Sequence, residues 1–336
     1  METLVRQWHK GAWWVWLLSP LVLLFWSVSH IRRLAYRFGI KQSTRVNASV
    51  IIVGNISVGG NGKTPVVLAL AQYFSHKGKR VGILSRGYGG KSDTYPRQVL
   101  ETDSPEEVGD EPRLLAIRSG VPVVVDPLRA RGARFLCDEL HCDIIICDDG
   151  LQHYALARDI ELVVMDERLI GSGFLMPMGP LREGRWRLAT VDAIIHNRQN
   201  NTQPHLASGT TPQFMMALEA ELPTSVKNNV KRTELTYFQG KRVTALAGIG
   251  APERFFSQLT GLGVNLDKTC PYPDHYQFSP EDIPSGTVLM TEKDAVKVAG
   301  FAHDDCWFLP VTAKIDDAVF TLIENKLNTA HALKDE

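Results

Sequence analysis

Residues 49–77 change from a continuous β-branched run, SVIIV at 49–53, to a helical pattern from Pro65 to Lys77. The joint reads Gly54-Asn55-Ile56-Ser57-Val58-Gly59-Gly60-Asn61-Gly62-Lys63-Thr64-Pro65. A strand that ends in a glycine-rich turn and hands on to a helix is one unit of an α/β sheet, so this joint commits the chain to that class. The same joint has the form of a phosphate-binding loop. Glycines let backbone N–H groups face phosphate oxygens, and the helix N-terminus adds positive potential. Ser57, Val58, Gly59, Gly60, Asn61, Gly62, Lys63 and Thr64 are therefore expected to hold a nucleotide, with Lys63 on the β- and γ-phosphates and Thr64 on Mg²⁺. Ser57 stands where the GxxxxGK[ST] pattern has its first glycine, so the strict pattern fails by one residue.

The rest of the body repeats the unit. Arg80–Leu84, Val121–Val125, Asp143–Cys147, Glu161–Met165 and Val191–Ile195 are apolar and continuous rather than alternating, as in strands covered on both faces. Helical patterns at Pro65–Lys77, Pro112–Ser119 and Ala130–Leu140 lie between several of them. This order predicts an α/β fold of P-loop NTPase type, a doubly wound parallel sheet. Met215–Leu222 and Glu234–Phe238 read as connecting strands, and 197–208 as a polar loop. A second, smaller α/β series starts near Lys241, with strands expected at Val243–Ala247, Thr287–Thr291 and Trp307–Leu309. The run at Asp143–Cys147 ends in Asp148-Asp149-Gly150-Leu151-Gln152-His153. Carboxylates at the C-terminal end of a buried parallel strand lie beside a phosphate loop, placed for Mg²⁺.

The N-terminus has a different chemistry. No side chain from Gly11 to Ile31 carries a formal charge, and five of the seven tryptophans sit at 8, 13, 14, 16 and 26. Tryptophan belongs at the headgroup level and Lys/Arg beside lipid phosphates, so residues 1–31 are expected to be a membrane-associated helix. Its length and Pro20 leave spanning and lying in one leaflet both open. Residues 1–45 hold seven Lys/Arg against Glu2 alone, a net of +6 that leaves the rest of a neutral chain at −6. A basic head on an acidic body fits an anionic membrane surface and excludes a chain-wide nucleic-acid footprint. The five cysteines form no CxxC pair and fit reduced core thiols better than a metal site or a disulfide framework.

GNISVGGNGKTP (54–65), LSRGYGGK (84–91), GDEP (109–112), DDGLQH (148–153), MPMGPLRE (176–183), AGIGAPERFF (247–256), DHYQF (274–278) and TEKDAVK (291–297) occur in this order. In that set the chain resembles the tetraacyldisaccharide 4'-kinases over nearly its whole length. It departs from them at Met176-Pro177-Met178-Gly179, where LPAG is usual, and at Gly184, where proline often follows. The resemblance implies ATP- and Mg²⁺-dependent phosphorylation of the 4'-hydroxyl of a tetraacylated glucosamine disaccharide 1-phosphate, a lipid A precursor, at the cytoplasmic face of the inner membrane. It implies a membrane helix at 1–31, a P-loop kinase domain at 32–235 and a smaller α/β domain at 236–336 that closes the cleft, with no obligate protein partner. It also assigns Asp110 as proton acceptor, aided by His275 from the other side of the cleft. Asp148, Asp149 and Glu183 are implied to lie at the metal. Arg86, Arg129, Arg182, Gln152 and His153 are candidate phosphate or substrate contacts. Lys293 and Asp294 either contact nucleotide or orient the second domain, and a structural ion pair is an equal alternative. A nucleotide-hydrolysing membrane switch is the main rival, but that class carries Lys before its Gly pair, where this chain has Val58. A nucleotide-binding scaffold or a kinase for a soluble substrate leaves more of these features unexplained.

Overall fold

The computed structural model describes residues 8, 13–198, 204, 206 and 208–332. Most of the expected polar loop at 197–208, and residues 1–7 and 9–12 of the expected anchor, lie outside the described residues. A 3-10 turn at Trp13–Leu18 leads into helix α1 (Ser19–Arg37). There follow β1 (Ser49–Gly54), α2 (Lys63–His76), β2 (Val81–Ser85), β3 (Arg97–Gln98), α3 (Pro105–Val108), α4 (Asp110–Ser119), β4 (Val123–Val125) and α5 (Arg129–Arg134). Strands β5 (Ile144–Asp148), β6 (Ile160–Met165), β7 (Ala193–Asn197), β8 (Gln213–Ala220), β9 (Thr224–Ser225) and β10 (Val243–Ala247) precede α6 (Pro252–Gly261). The chain closes with β11 (Leu266–Pro271), β12 (Thr287–Thr291), α7 (Glu292–Val298), β13 (Cys306–Leu309), β14 (Val311–Ile315) and α8 (Asp317–Ala332).

Nine strands form the first sheet in the order β14-β8-β7-β6-β1-β5-β2-β4-β3, parallel except at the β14 and β3 edges. Every residue of β1, β2 and β5 is buried, which accounts for their unbroken apolar sequences. One face packs Val66, Val67, Leu70 and Phe74 of α2 with Val319, Ile323 and Leu327 of α8. The other face packs Ala133 and Leu136 with Leu151, Leu181 and Leu188. Each such side chain contributes about 1.5–3 kcal/mol on full burial, so the sheet is a rigid floor for whatever its strand ends carry. The site's position follows from register. Strand β1 lies between β6 and β5, and Val53 stands opposite Asp148. The phosphate loop and the acidic strand end therefore leave the sheet side by side.

A second sheet, β11-β10-β12-β13-β9, is parallel apart from short β9. The three strands expected in this half are its centre. Strand β11 (LDKTCP) is largely exposed at the edge, which is why its polar sequence gives no strand signal. Leu235–Phe238 forms a 3-10 turn rather than the expected strand, because Phe238 turns inward to pack edge-on against Trp307. The helical stretch expected at Ala130–Leu140 is α5 followed by a π turn at Phe135–Glu139. After Leu309 the chain returns to the first sheet, where β14 pairs with β8 and α8 packs on its core. The second sheet thus occupies 224–309 and is enclosed on both sides in sequence by the first.

Candidate active site

The loop after β1 is held open by its surroundings. Gly62 immediately precedes α2 at φ +86°, and a Cβ there would lie 2.4 Å from Asn197 Nδ2. No other residue fits that position without moving Asn197. Ser57 does not interrupt the loop: its hydroxyl accepts a hydrogen bond from Asn61 Nδ2 at 3.2 Å, tying the two ends of the turn. The segment before Glu183 runs alongside, with Val58 N donating to Pro180 O at 2.9 Å and Arg182 N to Ile56 O at 2.7 Å. Pro65 is accommodated because it lies in the first turn of α2, where its missing N–H has no helical partner.

Asp148 and Asp149 adjoin this loop but differ in kind. Asp149 lies 3.5 Å from Lys63 Nζ and 2.9 Å from Arg182 Nη1. Burial works to raise its carboxyl, but the two cations outweigh it and hold it down at about 2. Asp148 is buried with only the more distant field of those cations. Burial first, and then the Glu111 charge, push it up to about 7. Its Oδ1 has no hydrogen-bond partner. An unsatisfied buried carboxylate oxygen at the root of a phosphate loop is suited to a cation, which relieves both the orphaned acceptor and the raised pKa. Among the described residues no group of three His, Cys, Asp or Glu side chains could hold a metal ion. Magnesium does not need one, since it binds through one or two carboxylates together with substrate phosphates and water. Asp148, Asp149 and Thr64 fit that pattern.

Glu183 lies in a buried hydrogen-bond network. Its Oε2 accepts from Gln152 Nε2 at 3.0 Å, its Oε1 accepts from the Tyr154 hydroxyl, and Arg187 Nε lies 3.6 Å away. Gln152 also donates to Asn55 O at 3.1 Å, so this buried network braces the base of the phosphate loop. Arg129 is fully buried and donates to the backbone carbonyls of Leu84 and Asp148, joining β2 to β5 from below. Arg86 is exposed at the end of β2. His153 is half-buried, and burial, with Arg129 and Arg86, lowers its pKa to about 4, so it is neutral at pH 7.

A second cluster forms where the two sheets face each other. Asp110 is buried at the start of α4, and His275 Nδ1 lies 3.1 Å from its Oδ2. Lys293 and Lys297 stand 3.7 and 3.9 Å from the same oxygen. Burial opposes ionisation, yet the His275 hydrogen bond and the two lysines hold Asp110 down at about 2. That hydrogen bond is also the main cause raising His275 above its ordinary value, against burial and Lys293. His275 sits at φ +60°, a conformation that costs a non-glycine residue energy. Asp110, His275, Lys297, Phe278 and Gly89 line one cavity. It lies close to the phosphate loop: a Cβ on Gly250 would be 3.3 Å from Gly60 N and 3.5 Å from Asp274 Oδ2.

The sequence pattern described as tetraacyldisaccharide-1-P 4'-kinase matches residues 14–328. The chain belongs to that family. A tetraacyldisaccharide 4'-kinase of Pseudoalteromonas atlantica is 52% identical over 298 residues, covering 88% of this chain and 95% of that one. The Haemophilus influenzae protein of the same name is 46% identical over 316 residues, covering 93% and 92%. A crystal structure of the "apo" form of LpxK from Aquifex aeolicus in complex with ATP superposes with a TM-score of 0.80 at 30% identity, covering 93% of this chain and 99% of that one. The 4'-kinase family thus accounts for the ordered motifs of the sequence and for the two-sheet fold.

Within the family motifs, sequence reasoning missed four groups. Lys293 bridges Glu111 at 3.0 Å and Asp274 at 3.1 Å, and Lys297 pairs with Asp294 at 2.8 Å. Asp294 accepts from Gly248 N at 2.8 Å and from the Thr291 hydroxyl at 2.6 Å, closing the first turn of α7. Lys293 thus joins the two halves of the molecule, while Asp294 pairs with Lys297 and tethers Gly248, and Thr291 caps the helix. Glu111 and Asp274 adjoin Asp110 and His275 in sequence, and Lys297 lies one helical turn after Asp294. Tyr88, whose ring centroid is 5.0 Å from that of His275, gives no signal in a single sequence.

The N-terminal helix touches the site's supporting loop. Val15 and Trp8 pack with Met178, and Val58 of the phosphate loop packs against the same group. Arg33 lies 3.9 Å over the Trp186 ring. From Trp13 to Arg37 the chain is long and apolar enough to cross a membrane, with mean hydropathy 1.6 and only 6% of its most apolar window buried.

Proposed function

We propose that this protein transfers the γ-phosphoryl group of ATP to the 4'-hydroxyl of a tetraacyl glucosamine disaccharide 1-phosphate, working at the cytoplasmic face of an inner membrane. The observation that carries the reading is the Asp110–His275 pair, built from opposite sheets, lining a cavity beside the phosphate loop. The loop's N–H groups and Lys63 hold the β- and γ-phosphates, and Arg182 keeps Asp149 ionised beside Lys63. Mg²⁺, held by Asp148, Asp149 and Thr64, supplies charge against the phosphate oxygens when bound. Glu183, Gln152 and Tyr154 form a network that braces the base of the loop through Asn55.

The acceptor hydroxyl enters the cavity at Asp110 and His275. Asp110 is held ionised, so its carboxylate is the group free to accept the proton of the hydroxyl, and the His275 hydrogen bond fixes its orientation. Transfer proceeds through a loose transition state that needs little nucleophile activation, so alignment of the hydroxyl with the γ-phosphorus is the pair's larger task. The exposed apolar side chains of the N-terminal helix, among them Trp13, Trp16, Leu23 and Leu24, suit acyl chains and membrane lipid. Labelled γ-phosphate should therefore appear in the lipid in detergent micelles and be lost in Lys63→Ala. Equal labelling in Lys63→Ala refutes the phosphate-loop assignment.

A further inference from the structure

Asp166, at the end of β6, is 2% exposed and carries two arginines. Arg168 Nε donates to its Oδ2 at 2.8 Å, and Arg254 Nη1 donates to the same oxygen at 3.0 Å. The two arginines come from different halves of the molecule. Arg254 lies in the first turn of α6, which packs on the second sheet. Arg168 faces the phosphate loop, where its Nη2 donates to Gly60 O at 3.0 Å and to Asn61 Oδ1 at 2.8 Å. A Cβ on Gly59 would meet Arg168 Nη1 at 3.0 Å, so the guanidinium rests directly on the loop backbone. None of the kinase roles described above uses this trio.

We propose that Arg254 is a positioning residue: through Asp166 and Arg168 it fixes the phosphate loop only while the second-sheet domain is seated. One carboxylate shared by two guanidinium groups orients both, since each planar fork must fit the oxygens the other leaves. Withdrawing Arg254 leaves Asp166 paired, so the fold is kept. What is lost is the restraint on how Arg168 lies against Gly60 and Asn61. The seating of one domain is thereby linked to ATP affinity in the other, and by reciprocity bound ATP favours the seated arrangement.

This rests on the loop holding ATP, and Lys63→Ala is the reference for that: unchanged ATP binding in Lys63→Ala would refute the ATP reading itself. The test measures ATP dissociation constants of the full-length protein in detergent, without lipid, together with the KM for each substrate. Arg254→Ala should weaken ATP about tenfold, or about 1.4 kcal/mol, within the range usual for coupled sites. The lipid KM should stay within twofold, and Arg254→Lys should recover most of the loss. Asp166→Asn, which slackens both arginines, should weaken ATP at least as much. Unchanged ATP affinity in Arg254→Ala overturns the proposal. So do an equal rise in both KM values, which marks a general structural defect, and a lysine variant no better than alanine.

Discussion

Replacing Asp110 by asparagine separates chemistry from structure, because the surroundings of Asp110 fix how much each should change. The side chain is isosteric and loses one charge that faces His275 at 3.1 Å, Lys293 at 3.7 Å and Lys297 at 3.9 Å. Breaking a buried ion pair costs about 3–5 kcal/mol when it strands the partner charge. Here neither lysine is stranded, since Lys293 keeps Glu111 and Asp274, and Lys297 keeps Asp294. His275 is partly exposed and can give up its proton. The stability loss should therefore be about 1.5–3 kcal/mol, the scale of one hydrogen bond to a charged group. Catalysis should lose far more, about 10²–10⁴-fold in kcat, as for a missing acid–base group. The His275 pKa should fall toward its ordinary value, because the Asp110 hydrogen bond is the main cause of its rise. Urea unfolding, labelled-phosphate transfer and the imidazole NMR titration read the three effects. A kcat within fivefold of wild type, or an unmoved His275 titration, would refute the assignment.

The same pair gives stability a pH dependence. His275 has a raised pKa in the folded protein, so its contribution is complete below the unfolded value of about 6.5 and disappears as pH climbs through the folded value. The Tm difference between wild type and His275→Gln should be largest near pH 6 and shrink toward pH 9; a constant difference contradicts this. Asp148, pushed up to about 7, binds a proton in competition with a cation. Mn²⁺ binding in the presence of ATP, read by electron paramagnetic resonance, should weaken as pH drops below about 7, and that pH dependence should vanish in Asp148→Asn. Removing residues 1–31 should abolish co-sedimentation with anionic vesicles while leaving ATP binding measurable. Retained sedimentation would point to a second membrane surface.

What the sequence conveys depends on how local the determinant is. The phosphate loop and β1 are contiguous, and the burial of β1 on both faces forces an apolar run that is read directly. Asp148 is found because it terminates another such run, and parallel pairing with β1 puts it beside Val53. Strand β14 is different. No strand is expected at its VTAKI sequence, and its pairing with β8 on the far side of the second sheet in the chain follows from no local pattern. Glu183 and Arg129 show a second limit. A carboxylate or guanidinium in a short motif is equally able to satisfy buried groups of its own protein, and here both have internal hydrogen-bond partners that no spacing rule foretells. The trio of Asp166, Arg168 and Arg254 spans two elements 88 residues apart, and no spacing rule brings them together.

The fate of one phosphoryl group decides between kinase and hydrolase, and ³¹P NMR of the purified lipid product reads it. Starting from a tetraacyl disaccharide 1-phosphate, ATP and Mg²⁺, two phosphate monoester signals of equal intensity are expected, the new one coupled to the proton on the 4' carbon. Free orthophosphate with unchanged lipid would contradict 4'-phosphorylation and leave a nucleotide hydrolase. A diphosphate at the 1 position would contradict it too, by placing the acceptor at the wrong end of the sugar.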